Sequence, residues 1–329
     1  MSKQKILVTG GAGYIGSHVV RQLGEAGEEV IILDNLSTGF KEAILYGELI
    51  IGDTGDKGCV SKIFADHDIS TVMHFAAHTV VPESVTNPLK YYANNTCNTR
   101  NLLECCQEAG IKQFIFSSTA AVYGIPDSTE AVTEETPTSP INAYGTSKLM
   151  SEWMMRDLAY ATDFKYVALR YFNVAGCDLE GRIGQSTPNA TLLTKVACEV
   201  AVGKREKMYI FGTDYPTKDG TGVRDYIHVE DLARAHLDSL SYLRKDSSES
   251  QTLNCGYGHG FSVREVINMV NQVNGKPINV TEKPRRAGDP PELIANSSKA
   301  QSILGWKPKY DDLEVIVKTA YEWEKKLKN

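Results

Sequence analysis

The sequence predicts an α/β protein: a doubly wound parallel sheet followed by a second, smaller α/β domain. Two observations carry this. Short apolar runs alternate with helix-length segments through the first half, and that rhythm stops near Asn173. Strands that are apolar throughout, rather than on alternate residues, belong to parallel sheets covered on both faces.

In chain order, Ile6-Leu7-Val8, Val30-Ile31-Ile32-Leu33, Leu49-Ile50-Ile51, Thr71-Val72-Met73-His74 and Phe114-Ile115-Phe116 read as buried strands. They are rich in β-formers and bounded by Gly, Asp or Ser. Tyr166–Leu169 extends the series, and helices are expected over Ser17–Ala26 and Asn94–Ala109. From Gly176 to Pro188 turn residues dominate; beyond them, helices are expected at Val229–Leu243 and Val263–Asn274, separated by the polar loop Lys245–Gln251. The expected division is therefore 1–173 for the first domain and 174–329 for the second, with part of about 219–250 returning to the first.

The composition narrows the function. With 35 Lys+Arg against 41 Asp+Glu the formal net charge is −6, which excludes broad nucleic-acid or anionic-membrane binding. No run approaches the roughly 18–20 apolar residues of a membrane span. Met1-Ser2-Lys3-Gln4-Lys5 leads straight into a strand without a leader pattern, so a cytoplasmic address is expected. The seven cysteines form no CxxC pair, which leaves zinc and dithiol chemistry unsupported and points to reduced thiols in the core. No metal site is expected.

Directly after the first strand stands Gly10-Gly11-Ala12-Gly13-Tyr14-Ile15-Gly16. Glycines let the backbone approach a pyrophosphate, and the following helix supplies N–H groups and the positive end of its dipole. Asp34 ends the second strand, 24 residues beyond Gly10. A carboxylate there accepts hydrogen bonds from both ribose hydroxyls and repels a 2′-phosphate. No arginine follows in Asn35-Leu36-Ser37, so this Rossmann-type site favours NAD over NADP. A plain tight turn with a capping Asp is the alternative. Asp53, after the third strand, stands where an adenine lies or caps a helix. Phe75-Ala76-Ala77 leaves room for the nicotinamide half across the sheet's carboxyl edge.

Tyr144-Gly145-Thr146-Ser147-Lys148 places a phenol and an ammonium four residues apart, on one face of a helix. A nearby ammonium lowers a phenol's pKa, so Tyr144 is the candidate base, and Lys148 also reaches a nicotinamide ribose. Tyr321 and Lys325 repeat the spacing, on what reads as an exposed helix face. Only the first pair follows a Ser117-Ser118-Thr119 strand end, about 25 residues upstream, whose hydroxyls can bridge a substrate oxygen and the phenol.

Together these motifs resemble the extended short-chain dehydrogenase/reductase family over nearly the whole chain, in particular its branch of UDP-hexose 4-epimerases. Further blocks carry the resemblance: His74-Phe75-Ala76-Ala77, Phe116–Gly124, Arg170–Gly176, Asp219–Val229 and Arg285-Arg286-Ala287-Gly288-Asp289. What the resemblance implies is a tightly held, recycled NAD and interconversion of UDP-galactose and UDP-glucose through a 4-keto sugar. It implies Tyr144 as base, Thr119 on the 4-oxygen, and Asn35, Asn94 and Tyr171 as further cofactor contacts. It also implies that Asn173 and Leu193 touch the substrate, that Arg224 and Arg286 pair with its phosphates, and that Asp289 holds the uridine ribose. From the residues alone, a surface ion-pair group is the alternative reading of Arg224, Arg286 and Asp289. A homodimer through the helices around 94–109 and 144–158 is implied as well.

Four positions depart from the resemblance or decide within it. Dehydratases of the family follow the Ser/Thr with an Asp-Glu pair, whereas Ala120-Ala121 stands here, so epimerisation is retained over water loss. Thr79 replaces a common lysine near the cofactor phosphates. Leu293 stands where a tyrosine narrows the sugar pocket in enzymes restricted to glucose and galactose, which implies room for a 2-acetamido group.

Overall fold

The computed structural model describes residues 4–286 and 289–328; Met1 to Lys3, Asn329, and Ala287 and Gly288 of the Arg285–Asp289 block lie outside the described residues. Strands β1 (Lys5–Thr9), β2 (Val30–Asp34), β3 (Glu48–Ile51), β4 (Ile69–His74), β5 (Gln113–Thr119) and β6 (Lys165–Tyr171) form where the apolar runs predict them. A seventh strand, Gln251–Cys255, joins them in the order 251–255, β6, β5, β4, β1, β2, β3, all parallel. Gln251-Thr252-Leu253-Asn254-Cys255 carries no apolar run, and its strand state comes from pairing with β6 rather than from propensity.

Side chains alternate across the sheet into two cores. On one face Val19, Val20 and Leu23 of the helix Tyr14–Glu25 meet Leu232, Leu240 and Leu243 of the helix Val229–Leu243. On the other, Val60 and Ile63 join Leu102 and Met155. One expectation fails at the edge: β3 is not a buried strand, and Ile51 is 67% exposed, because no strand lies beyond it. The expected Asn94–Ala109 helix is also interrupted. Tyr92–Cys97 forms a π-turn before the α-helix Asn98–Glu108, a local widening common at functional sites.

A third core gathers Ala197 and Cys198 of the helix Leu193–Ala201, Val266 and Val270 of Val263–Asn274, and Ile316 and Val317 of Leu313–Lys328. Beside it, Val223–Arg224 is flanked by Phe261–Ser262 and Glu292–Leu293. Tyr321 is not on a free helix face: it packs on this core and its hydroxyl donates to Asn274 Oδ1 at 3.0 Å. All seven cysteines are free, five of them buried. No described helix is long and apolar enough to cross a membrane.

Candidate active site

The chain order reverses between β1 and its neighbours β4 and β2, and ligands of such sheets bind at the carboxyl edge beside that switch. The glycine loop stands there. Gly10 has φ +72°, and a Cβ on it would lie 2.5 Å from the Ala76 backbone nitrogen; one on Gly16 would lie 2.2 Å from the Gly10 carbonyl. Only hydrogen fits at either place. Gly13 caps the helix without a side chain, so the first-turn N–H groups have no side-chain acceptor and are free for an anion.

Asp34 braces this loop: its carboxylate accepts from the Ala12 N–H at 2.9 Å and the Leu36 N–H at 2.8 Å. Each oxygen keeps a lone pair for a ribose hydroxyl. Asp53 does not cap the following helix, a task taken by Asp56; it accepts from Asn35 Nδ2 at 2.9 Å, Asn98 Nδ2 at 3.0 Å and the Gly55 N–H. The glycine cradle, the bare helix start and the braced carboxylate fit NAD. Ile15 packs on the first core, and Tyr14 spends its hydroxyl elsewhere, donating to the Gly176 carbonyl at 2.6 Å. Phe75 packs against His236 with ring centroids 4.7 Å apart. Asn94 donates to Asn95 Oδ1, and the buried Tyr171 hydroxyl is hydrogen-bonded to Ser117 Oγ.

The chemical residues meet at the end of β5. Tyr144, in the first turn of the helix Ala143–Ala161, is half-buried and hydrogen-bonded to the Thr119 hydroxyl. Asn142 caps this helix by accepting the Gly145 N–H at 2.9 Å. One turn on, Lys148 is 2% exposed and its Nζ donates to the Ser117 carbonyl at 2.8 Å, 4.8 Å above the Phe116 ring. The electrostatics correct the sequence expectation. Desolvation raises the Tyr144 pKa, and the Thr119 hydrogen bond draws it back. The ammonium is itself weakened: burial brings its pKa down to about 7, against an upward pull from Glu152.

The substrate candidates cluster on the second unit. Arg224 and Leu293 are register partners in adjacent short strands. The neighbouring Asp225 anchors that seam, accepting N–H groups of Tyr257, Gly258 and Ala295 at 2.9, 3.0 and 3.2 Å. Arg286 lies over the Phe211 ring at 3.8 Å, and Tyr215 feels both Asp289 and Arg224. Among the described residues none of Arg224, Arg286 and Asp289 forms an ion pair, whereas Arg285 pairs with Asp214 at 2.7 Å. Leu293 packs beside Ala120, Val122 and Leu149, next to Thr119 in the chain. Asn173 donates its N–H to the Asp225 carbonyl, two residues beyond Tyr171, while Leu193 opens its helix on the third core.

Two buried polar groups lie outside the sequence motifs. Asn95, in the π-turn, accepts from the His78 N–H at 2.8 Å and donates to the His78 carbonyl and to Ser147 Oγ. Glu152 pairs with Arg170, Nη2 to Oε2 2.6 Å, and accepts from Ser118 Oγ. Both are common helix-surface residues in sequence; the one signal that could have found Glu152 is its place one turn beyond Lys148.

Comparison with known proteins places the chain firmly. The family model described as the NAD dependent epimerase/dehydratase family matches residues 6–256. A UDP-glucose 4-epimerase of Azospirillum brasilense is 52% identical over 324 residues, 98% of this chain and 92% of that one. Among solved structures, UDP-glucose 4-epimerase from Brucella ovis in complex with NAD superposes with a TM-score of 0.94 at 40% identity, covering 97% of this chain and 98% of that one. The UDP-Glc/GlcNAc 4-epimerase of Campylobacter jejuni gives 0.86 at 51% identity, covering 98% and 99%.

Proposed function

The chain belongs to the NAD dependent epimerase/dehydratase family, and from that premise we propose that it is an NAD-dependent isomerase interconverting UDP-glucose and UDP-galactose by inverting C4. The observation that carries this reading is the hydrogen-bonded Tyr144–Thr119 pair at the sheet's carboxyl edge, beside the glycine loop and Lys148. NAD, when bound, supplies a reversible hydride acceptor, so that the sugar passes through a 4-ketone.

The protein's own residues do the rest. Tyr144 takes the proton of the 4-hydroxyl and returns it, while Thr119 holds the same oxygen and stabilises the phenolate. Lys148 offsets that negative charge from the same helix face. Arg224 and Arg286, without carboxylate partners, hold the diphosphate, and Asp289 the ribose. An anchored diphosphate lets the keto sugar turn its other face to the cofactor without leaving. Ala120-Ala121 offers no acid/base pair for water loss.

The sugar range is wider than glucose and galactose in this reading. Leu293, packed against the cluster of Ala120 and Val122, is smaller than a tyrosine at the same place and so favours room for a 2-acetamido group, and the similar Campylobacter jejuni enzyme is described as acting on Glc and GlcNAc forms. The protein forms a homodimer through the helix Ala143–Ala161, where Trp153 is 45% and Met150 37% exposed, while Leu149 and Leu158 pack in the protomer's own core. Seven free cysteines support a reducing, cytoplasmic address.

Proton NMR of the purified protein with UDP-galactose, no NAD added, is the test. Appearance of UDP-glucose supports the whole reading; no reaction even after NAD is supplied overturns it.

A further inference from the structure

The helix Ala143–Ala161 meets the end of β5 three times, at successive turns. Tyr144 hydrogen-bonds the Thr119 hydroxyl, Lys148 donates to the Ser117 carbonyl, and Glu152 accepts from Ser118 Oγ. Residues i, i+4 and i+8 of one helix face thus hold three consecutive residues of one strand. The third contact is the most heavily built. Glu152 is 5% exposed, and its carboxylate takes Arg170 Nε at 3.0 Å and Nη2 at 2.6 Å from β6. Arg170 Nη1 in turn donates to Tyr123 Oη at 3.1 Å, and that phenol to Asn254 Oδ1 at 2.7 Å. Yet a buried bidentate pair is costly to desolvate and is a weak source of stability.

We propose that Glu152 is a positioning residue for the C4 chemistry: with Arg170 it fixes the β5 end so that Thr119 and the Ser117 carbonyl stand where Tyr144 and Lys148 need them, and it sets a carboxylate one turn beyond Lys148 on the same helix face. This rests on the catalytic reading of Tyr144 and Lys148 given above. The other groups facing Lys148 do not supply that charge. His74 on β4 is buried, bonded to Thr9 and Thr99, and pushed down to about 3, so it stays neutral. Tyr171 on β6 is raised far above its ordinary value and stays neutral too. Arg170 is a cation engaged by Glu152 itself. Glu152 is the anion whose pull on Lys148 is upward.

Charge and reach are separable by substitution. Glu152→Gln keeps the shape and removes the charge; the alkaline limb of kcat should move down by about one pH unit, with KM for UDP-galactose unchanged within about twofold. Glu152→Asp keeps the charge and shortens the reach; its limb should stay in place while kcat falls about tenfold at every pH. A buried unpaired arginine threatens the fold of the glutamine variant, so Glu152→Gln/Arg170→Met provides a neutral pair of similar volume in which the same shift is expected. Wild-type pH profiles in both charge-removing variants overturn the proposal, as does an aspartate variant that turns over at the wild-type rate. Lys148→Met, run alongside, separates the two levels: if it keeps the wild-type rate and profile, the catalytic reading falls and the proposal with it.

Discussion

Lys148 Nζ donates to the Ser117 carbonyl at 2.8 Å from a position 2% exposed to solvent. A lysine held this way has lost most of its hydration, and one carbonyl does not replace it. The pKa of about 7 is the measure of that loss. Catalysis and stability therefore pull in opposite directions at this residue.

The stability side has a definite sign. Folding lowers the Lys148 pKa from 10.5 to about 7, so between those values the unfolded chain holds a proton that the folded chain does not. Stability contributed here falls as pH drops through that window, and the penalty is complete below pH 7. Each tenfold loss of proton affinity on folding costs about 1.4 kcal/mol, against about 1 kcal/mol for the hydrogen bond lost. Lys148→Met should accordingly melt at a higher temperature than wild type at pH 6.5, with the gap closing toward pH 10. Its turnover should fall about 100-fold. Melting curves across that pH range check the first half.

Tyr144 and Thr119 give a second pair of outcomes. Tyr144→Phe removes the base and should cost about 10²–10⁴ in kcat while leaving the fold and retained NAD intact. Thr119→Val acts through the phenol instead: the hydrogen bond that holds the Tyr144 pKa down is gone, so the phenol ionises later. The acid limb of the rate profile should shift upward in pH. An unshifted limb would mean that Tyr144 does not titrate as the base.

The glycine loop allows a controlled comparison. Gly10 and Gly27 both have positive φ, +72° and +76°, but a Cβ on Gly27 meets nothing within 4 Å, whereas on Gly10 it meets the Ala76 nitrogen at 2.5 Å. Gly27→Ala should cost only the left-handed backbone strain, about 1–2 kcal/mol. Gly10→Ala adds a backbone clash and should lower the melting temperature further and purify without NAD. Equal losses from the two would show that the Phe75-Ala76 segment yields easily.

Much of this is legible in the sequence because its causes are local. Val30–Leu33 and Phe114–Phe116 form strands on their own apolar content, and the glycine loop with Asp34 declares itself by spacing. What stays hidden depends on distant partners. Gln251–Cys255 is a strand because β6 offers an edge, Asn95 matters because His78 and Ser147 converge on it, and Glu152 because Ser118 and Arg170 do. The Tyr144 environment differs from the sequence expectation for the same reason. Spacing puts a lysine near a phenol, but only the strand end decides that the ammonium turns to a carbonyl.

Leu293 makes the sugar range testable. It is partly buried, opposite Arg224 in register and packed on the cluster that includes Ala120, Val122 and Leu149. With the apolar cluster on one side of it, a larger side chain at this point takes up space in the proposed sugar pocket. Leu293→Tyr should therefore crowd a 2-acetamido group while sparing a 2-hydroxyl. The expected result is a loss of at least about tenfold in kcat/KM for UDP-N-acetylgalactosamine, with UDP-galactose within about threefold of wild type. Parallel rate measurements on the two substrates decide it. A general weakening of the fold would depress both equally, and that outcome would remove Leu293 as the determinant of sugar size.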